Sequence, residues 1–281
     1  MFKLKIMIPV SFTGFTGYFI CDPHISRGII LTTSGIFCLA VASSVLNQVQ
    51  EADIDLLMRR TRNRPIPSGK ITRNNALLIS ILSIIAGLIM VYEGGNSGAV
   101  LISLFTMFWY NGVYTPLKRK SAYAVIPGAL TGALPPIIGW VAAEGYPLSM
   151  HILPFAFLLF LVQIPHFWIF ILSYGEEYVT AGIPNISESM SQAAIRILVF
   201  SMVVASALVS LILYPTGAIL NEWVAGILII SSLIFVWLFS HFLVTEKNKC
   251  SRYSMMLDIY ILLVMILMIT DRIIQNTLFL S

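Results

Sequence analysis

Apolar runs long enough to cross a bilayer alternate with short polar connections along almost the whole chain. A hydrocarbon core about 30 Å thick takes roughly 20 helical residues. On that measure nine helices are expected, near residues 5–21, 27–50, 75–92, 98–115, 122–143, 149–173, 191–214, 222–245 and 254–272. The first run follows Lys3 and Lys5, as a leader peptide would. Pro9, Gly14 and Gly17 interrupt it and no clean small-x-small site follows, so a retained helix is expected.

Basic residues orient such a bundle. Lys3 and Lys5 precede the first helix, and Arg59, Arg60, Arg62, Arg64, Lys70 and Arg73 join the second to the third. Lys118, Arg119 and Lys120 follow the fourth, Arg196 opens the seventh, and Lys247, Lys249 and Arg252 follow the eighth. With nine crossings all of these fall on one side, leaving only Arg27 and Arg272 on the other. The N-terminus is therefore expected in the cytoplasm. The two longest connections, 51–74 and 174–190, share that face, and function is to be sought there. They follow helices two and six, which hints at two pseudo-repeated halves without convincing identity between them.

Composition narrows the class. Only 11% of the 281 residues are charged and 58% are hydrophobic, against about a quarter charged in soluble domains. A soluble two-domain enzyme, a disordered chain and a secreted disulfide scaffold are excluded. Cys21, Cys38 and Cys250 lie in or beside apolar runs and form no metal-binding pattern. The net charge of +4 reads as topology rather than nucleic-acid binding. The expectation is one all-α domain over 1–281, embedded in the cell membrane.

Chemistry concentrates at the end of the second helix. Asn47, Glu51 and Asp55 recur every four residues. Each such step advances about 40° around a helix and about 6 Å along it, so the three share one stripe. An amide oxygen and two carboxylates make a hard donor surface suited to Mg²⁺, which binds through one or two carboxylates and substrate phosphates. Asp53 points to the opposite side. The arginines that follow suit a diphosphate through forked hydrogen bonds, although topology alone would equally account for basic residues there. Acids at membrane depth, costing on the order of 2.5–3.5 kcal/mol each, call for a function.

Further along, Tyr114-Thr-Pro-Leu-Lys118-Arg119 puts a second cationic cluster on the same face. It leads into a helix with Gly128, Gly132 and the Pro135-Pro136 pair, where small residues permit close packing. The sixth helix carries Gln163-Ile-Pro165-His166-Phe167-Trp168 and then Glu176-Glu177. His166 is open to three roles: iron ligand, proton carrier or buried hydrogen-bond partner. Glu176 and Glu177 supply oxygen ligands that could face the Asn47–Asp55 stripe. Trp109, Trp140, Trp168, Trp223 and Trp237 fall mostly near helix ends, as an aromatic belt would.

Asn47-x3-Glu51-x3-Asp55 at the end of helix two resembles the first aspartate-rich motif of the UbiA superfamily of intramembrane prenyltransferases. More narrowly, Asp53-Ile54-Asp55-x-x-Met58-x-Arg60-Thr61-x-x-Arg64-Pro65 is similar to the signature of its protoheme IX farnesyltransferase (heme O synthase) branch. The stretches around Tyr114–Arg119, Gly132–Trp140 and Pro165–Pro184 resemble that branch too. Glu177 stands where the branch has Asp, Asn185-Ile186-Ser187 replaces Met-Leu-Pro, and an apolar stretch around Ala124 replaces an Asn.

The resemblance implies a nine-helix bundle with Asn47, Glu51, Asp55, Glu176 and Glu177 holding Mg²⁺. Asn47, Glu51, Asp55 and Glu177 would be catalytic, and Arg60, Arg64, Lys118 and Arg119 would bind diphosphate. It implies farnesyl diphosphate as donor, heme b as acceptor near His166, and heme O as product. Two alternatives stand beside it: the same chemistry on a quinone-ring or lipid precursor, and an ion-coupled transporter whose intramembrane acids are ion sites. A phosphotransferase for CDP-alcohols is set aside because its DGxxAR-type motif is absent.

Overall fold

A computed structural model describes residues 4–244 and 250–280, and these residues are all-α with no strand. The helices are α1 (Leu4–Cys21), α2 (Arg27–Gln50), α3 (Ala52–Leu57), α4 (Arg73–Gly94), α5 (Ser97–Met107), α6 (Thr115–Leu117), α7 (Val125–Ala142), α8 (Leu153–Thr180), α9 (Gln192–Leu211), α10 (Glu222–Ser240) and α11 (Cys250–Leu280). Lys3, Lys247 and Lys249, three of the segregated cations, lie outside the described residues.

Among the described residues eight helices are long and apolar enough to cross a membrane, one for each expected run except 98–115. That run is helical throughout but is not a single α-helix. It is built from the 11 residues of α5, a seven-residue π-helix over Phe108–Tyr114, and the three residues of α6. The Thr115 N–H bonds back five residues to Tyr110 O, the mark of a widened turn. Within that turn Asn111 Nδ2 donates to Ser43 O of α2 at 3.1 Å, while Trp109 Nε1 donates to Pro127 O of α7 at 2.7 Å. Polar groups on two sides of one segment are thereby satisfied inside an apolar bundle.

Consecutive long helices pack side by side, and α1 closes the bundle by touching α2, α7 and α11. The α1–α7 contact depends on glycine. A Cβ on Gly17 would collide with the Pro136 carbonyl, and one on Gly139 with the Gly14 carbonyl. The glycines that interrupt the first apolar run are thus what lets α1 dock as part of the core. Large apolar side chains such as Ile230, Leu233 and Trp237 of α10 face outward, as lipid contact requires.

The C-terminal helices are tied by polar groups. Ser210 of α9, Ser232 of α10 and Tyr260 of α11 close a buried ring of hydroxyls at 2.7–3.1 Å. Asp271 of α11 is fully buried and accepts from the Leu220 and Asn221 N–H groups just before α10. Cys21 and Cys38 are free thiols. The tryptophans divide: Trp223 and Trp237 are exposed as in a belt, whereas Trp140 and Trp168 are buried in the core and correct that expectation.

Helix α8 overruns its expected end at 173 and carries Glu176 and Glu177 in its last turns. A Schellman motif stops it: Ile183 N–H bonds to Tyr178 O and Gly182 N–H to Val179 O, with Gly182 at φ +68°. Pro184 then prevents continuation. The acids therefore sit on a rigid helix and not in a loop.

Candidate active site

The stripe at the end of α2 survives a break in the helix. Glu51 leaves helical geometry (φ −108°, ψ 11°), yet Glu51 N–H still bonds to Asn47 O at 3.0 Å and Asp55 N–H to Glu51 O at 2.8 Å. Asn47, Glu51 and Asp55 consequently face inward together, at 2%, 5% and 1% exposure. Asp53 points outward, as the spacing requires.

Each acid is matched by a cation. Arg64 Nη1 lies 2.7 Å from both Asp55 carboxylate oxygens. The connection folds back to put it there: Thr61 Oγ1 donates to Asp55 O, and Arg64 N–H bonds to Thr61 O, both at 2.9 Å. Lys118, just past α6, brings Nζ to 2.5 Å from Glu51 Oε1 without hydrogen-bond alignment, so that buried oxygen has no directed donor. Arg119, one residue on, serves the outer acid. It contacts both Asp53 oxygens at 3.0 Å and also donates to Gln50 O. The Arg119 hydrogen bond is the main cause holding the Asp53 carboxyl below its ordinary value of 3.8.

The π-helix sets the amide of Asn47. Thr115 Oγ1 donates to Tyr110 O at 2.9 Å and accepts from Asn47 Nδ2 at 3.2 Å. With its nitrogen held there, the Asn47 oxygen is left to act as an acceptor beside the carboxylates.

Helix α8 supplies the opposite wall. Glu177 Oε2 accepts from the Arg60 backbone N–H at 3.4 Å, bringing α8 onto the first polar connection. The Arg60 guanidinium lies over the rings of Phe170 and Tyr174, 4.8 and 5.7 Å from their centroids. Glu176 is exposed, and neither Glu176 nor Glu177 lines the chamber between these walls; Glu177 touches the first connection at the Arg60 backbone.

These side chains surround a polar chamber of about 290 Å³, lined by Asn47, Glu51, Asp55, Arg60, Arg64, Lys118, His166 and Tyr178. Arg119 lies outside it, engaged by Asp53. Next to it is an apolar cavity of about 350 Å³ between α1, α2, α5, α7 and α8, lined by residues such as Val10, Ile36, Leu39, Met107 and Ile138. Ile6, Tyr110, Tyr114, Gln163 and Phe167 line both, so the charged chamber and the apolar cavity share a wall. Gly128 and Gly132 do more than permit helix packing. A Cβ there would meet the Tyr114 ring and the Gln163 side chain respectively, so their smallness shapes this cavity.

Among the described residues no three His, Cys, Asp or Glu side chains are grouped to hold a metal unaided. The donor set nevertheless fits Mg²⁺, which completes its shell with waters and substrate phosphates. The buried carboxylates of Glu51 and Asp55 and the Asn47 amide oxygen, all on the chamber wall, are the hard oxygens such an ion takes. Sequence reasoning missed Tyr110, Thr115 and Tyr178, whose signal was only a hydroxyl adjoining an apolar run or an acid.

A charged chamber beside an apolar cavity, both enclosed by membrane-spanning helices, suits a membrane-embedded enzyme acting on a ligand with a polar and an apolar part. The profile of the UbiA prenyltransferase family matches residues 10–262, and the chain belongs to that family. It is 31% identical over 276 residues to the protoheme IX farnesyltransferase of Oleidesulfovibrio alaskensis, covering 98% of this chain and 96% of that one. A UbiA homologue from Aeropyrum pernix K1 shares the fold with a TM-score of 0.77 at 15% identity, over 99% and 100% of the two chains. A second, from Archaeoglobus fulgidus and bound to GPP and Mg²⁺, aligns with a TM-score of 0.66 at 16% identity over 94% and 98%. The chain is thus an integral membrane prenyltransferase, and the transporter alternative falls away.

Proposed function

We propose that this chain transfers the farnesyl group of farnesyl diphosphate to a vinyl group of heme b, giving heme O and diphosphate. One observation carries the reading: inward-facing Asn47, Glu51 and Asp55 share a chamber with Arg60, Arg64 and Lys118, and that chamber adjoins an apolar cavity. The relatives called protoheme IX farnesyltransferase, 31% and 30% identical over nearly the whole chain, support the choice of donor and acceptor.

Asn47, Glu51, Asp55 and Glu177 would hold Mg²⁺, which when bound stabilises the charge of the departing diphosphate. Glu177, which touches the first connection at the Arg60 backbone, is assigned to this set ahead of the exposed Glu176 and would turn into the chamber to join it. Lys118, Arg64 and Arg60 take the remaining phosphate charge, with Arg119 keeping the α2 terminus in place from outside. The farnesyl tail lies in the apolar cavity, whose walls keep water from the allylic carbon. The C1–O bond of the donor breaks, the C1–vinyl bond forms, and one water supplies the hydroxyl of the product while releasing a proton. His166, half-exposed on the chamber wall, is assigned to the acceptor. Charge asymmetry supports a cytoplasmic N-terminus and a site at that face.

Incubating purified protein with farnesyl diphosphate, heme b and Mg²⁺, followed by mass spectrometry of the porphyrins, tests the proposal. Heme O and stoichiometric diphosphate are expected. Heme left unchanged while a phenolic or lipid acceptor is prenylated would overturn the acceptor assignment, and no diphosphate release with any acceptor would overturn the donor.

A further inference from the structure

We propose that Asp258 is a positioning residue for His166, holding its imidazole so that Nε2 ligates the iron of the porphyrin acceptor. The inference rests on heme b being that acceptor. Asp258 lies on α11, within the stretch Arg252–Thr277 that is long and apolar enough to span the membrane. Its side chain is 71% exposed, near the N-terminal end of that stretch, where an acid still calls for a function. Asp258 Oδ1 faces Nδ1 of His166, on the neighbouring helix α8, at 3.8 Å.

The two residues are arranged in series. His166 lines the polar chamber, and Asp258 does not. The acid thus stands behind the ring on its Nδ1 side, and the second ring nitrogen is the one left for a ligand. Histidines that bind metals typically donate the other ring N–H to a carboxylate or carbonyl, which fixes tautomer and orientation and raises ligand basicity. Phe167 and Phe170, flanking His166 on α8, add an apolar wall suited to a porphyrin face. The 3.8 Å separation exceeds a hydrogen bond. Heme binding would have to bring the two about 1 Å closer for the acid to accept from Nδ1–H.

The test is an optical and potentiometric titration of the purified full chain with heme b. Wild type is expected to give a histidine-ligated spectrum that His166→Ala loses. Asp258→Asn should retain the ligation but bind heme about 10–100-fold more weakly. It should also raise the heme reduction potential, because a negative charge that favours the ferric state is gone. Asp258→Glu should restore both toward wild type. Wild-type helical content and thermal unfolding in detergent for each variant show that the fold is intact. Asp258→Asn matching wild type in affinity and potential would overturn the role of Asp258 while leaving heme as acceptor. Wild type that binds no heme would overturn the acceptor itself.

Discussion

The Asp55–Arg64 pair separates stability from catalysis in a way that can be measured. Asp55 is 1% exposed and Arg64 18%, with Nη1 at 2.7 Å from both carboxylate oxygens. Asp55→Asn removes the negative partner and leaves the guanidinium facing a neutral amide. Breaking a fully buried pair costs about 3–5 kcal/mol. Because Arg64 keeps access to the chamber, the cost should be nearer that of one charged hydrogen bond, about 1.5–3 kcal/mol, or roughly 3–12 °C in thermal midpoint. Arg64→Met strands a carboxylate that is 1% exposed, so the discount does not apply and the cost should be the larger one, about 3–5 kcal/mol. In the double variant neither charge is left stranded, so much of the stability should return. Activity should not return with it, because the acid holds metal and the arginine holds phosphate. Each single variant and the double should lose at least about 10²-fold in kcat, the scale of a lost electrostatic stabiliser. The readouts are thermal unfolding in detergent and diphosphate release at saturating donor. A double variant that regains activity along with stability would show the pair to be structural only, and the reasoning would fail.

Other outcomes follow from the same geometry. Glu51→Gln should abolish turnover while the protein stays folded, and near-normal diphosphate release would remove its metal role. Thr115→Val takes away the acceptor that holds the Asn47 amide, at about 1 kcal/mol; the Mg²⁺ concentration for half-maximal rate should rise about fivefold, and an unchanged value would count against the positioning. Gly128→Ala places a methyl against the Tyr114 ring, so affinity for farnesyl diphosphate should fall more than for a shorter prenyl diphosphate, as a competition assay would reveal. Asp53 has its carboxyl held low by Arg119, so its contribution is complete above pH 3.8 and is lost as pH falls through the lower folded-state value. The stability gap between wild type and Asp53→Asn should therefore be small and constant from pH 6 to 8, about 0.2–1 kcal/mol for so exposed a pair. It should vanish in acid, and a gap that widens on acidification would contradict the assignment.

The helical bundle was legible because a membrane demands long apolar runs, and eight of the nine expected runs appear as single helices. The inward stripe of Asn47, Glu51 and Asp55 was legible because four-residue spacing fixes a helix face regardless of what packs on it. The π-helix was not. Phe108–Tyr114 reads as an ordinary apolar stretch, and its widened turn depends on Ser43 and Pro127, which only the tertiary fold brings near. The apolar run ends near 173, ahead of Glu176-Glu177, whereas the helix continues to its stop signal at Gly182-Ile183-Pro184. Asp258 could not be matched with His166 from sequence, since 92 positions separate them and only the α8–α11 packing joins them.

The pairing of Glu51 with Lys118 and of Asp55 with Arg64 has a thermodynamic consequence. A divalent ion arriving alone must compete with Lys118 and Arg64 for Glu51 and Asp55, and a pyrophosphate arriving alone must pull those cations from their carboxylates. Arriving together, each releases the group the other needs. Ion and donor should therefore show positive, reciprocal synergy, each tightening the other by the same factor, and the empty enzyme should have little affinity for stray anions or metals.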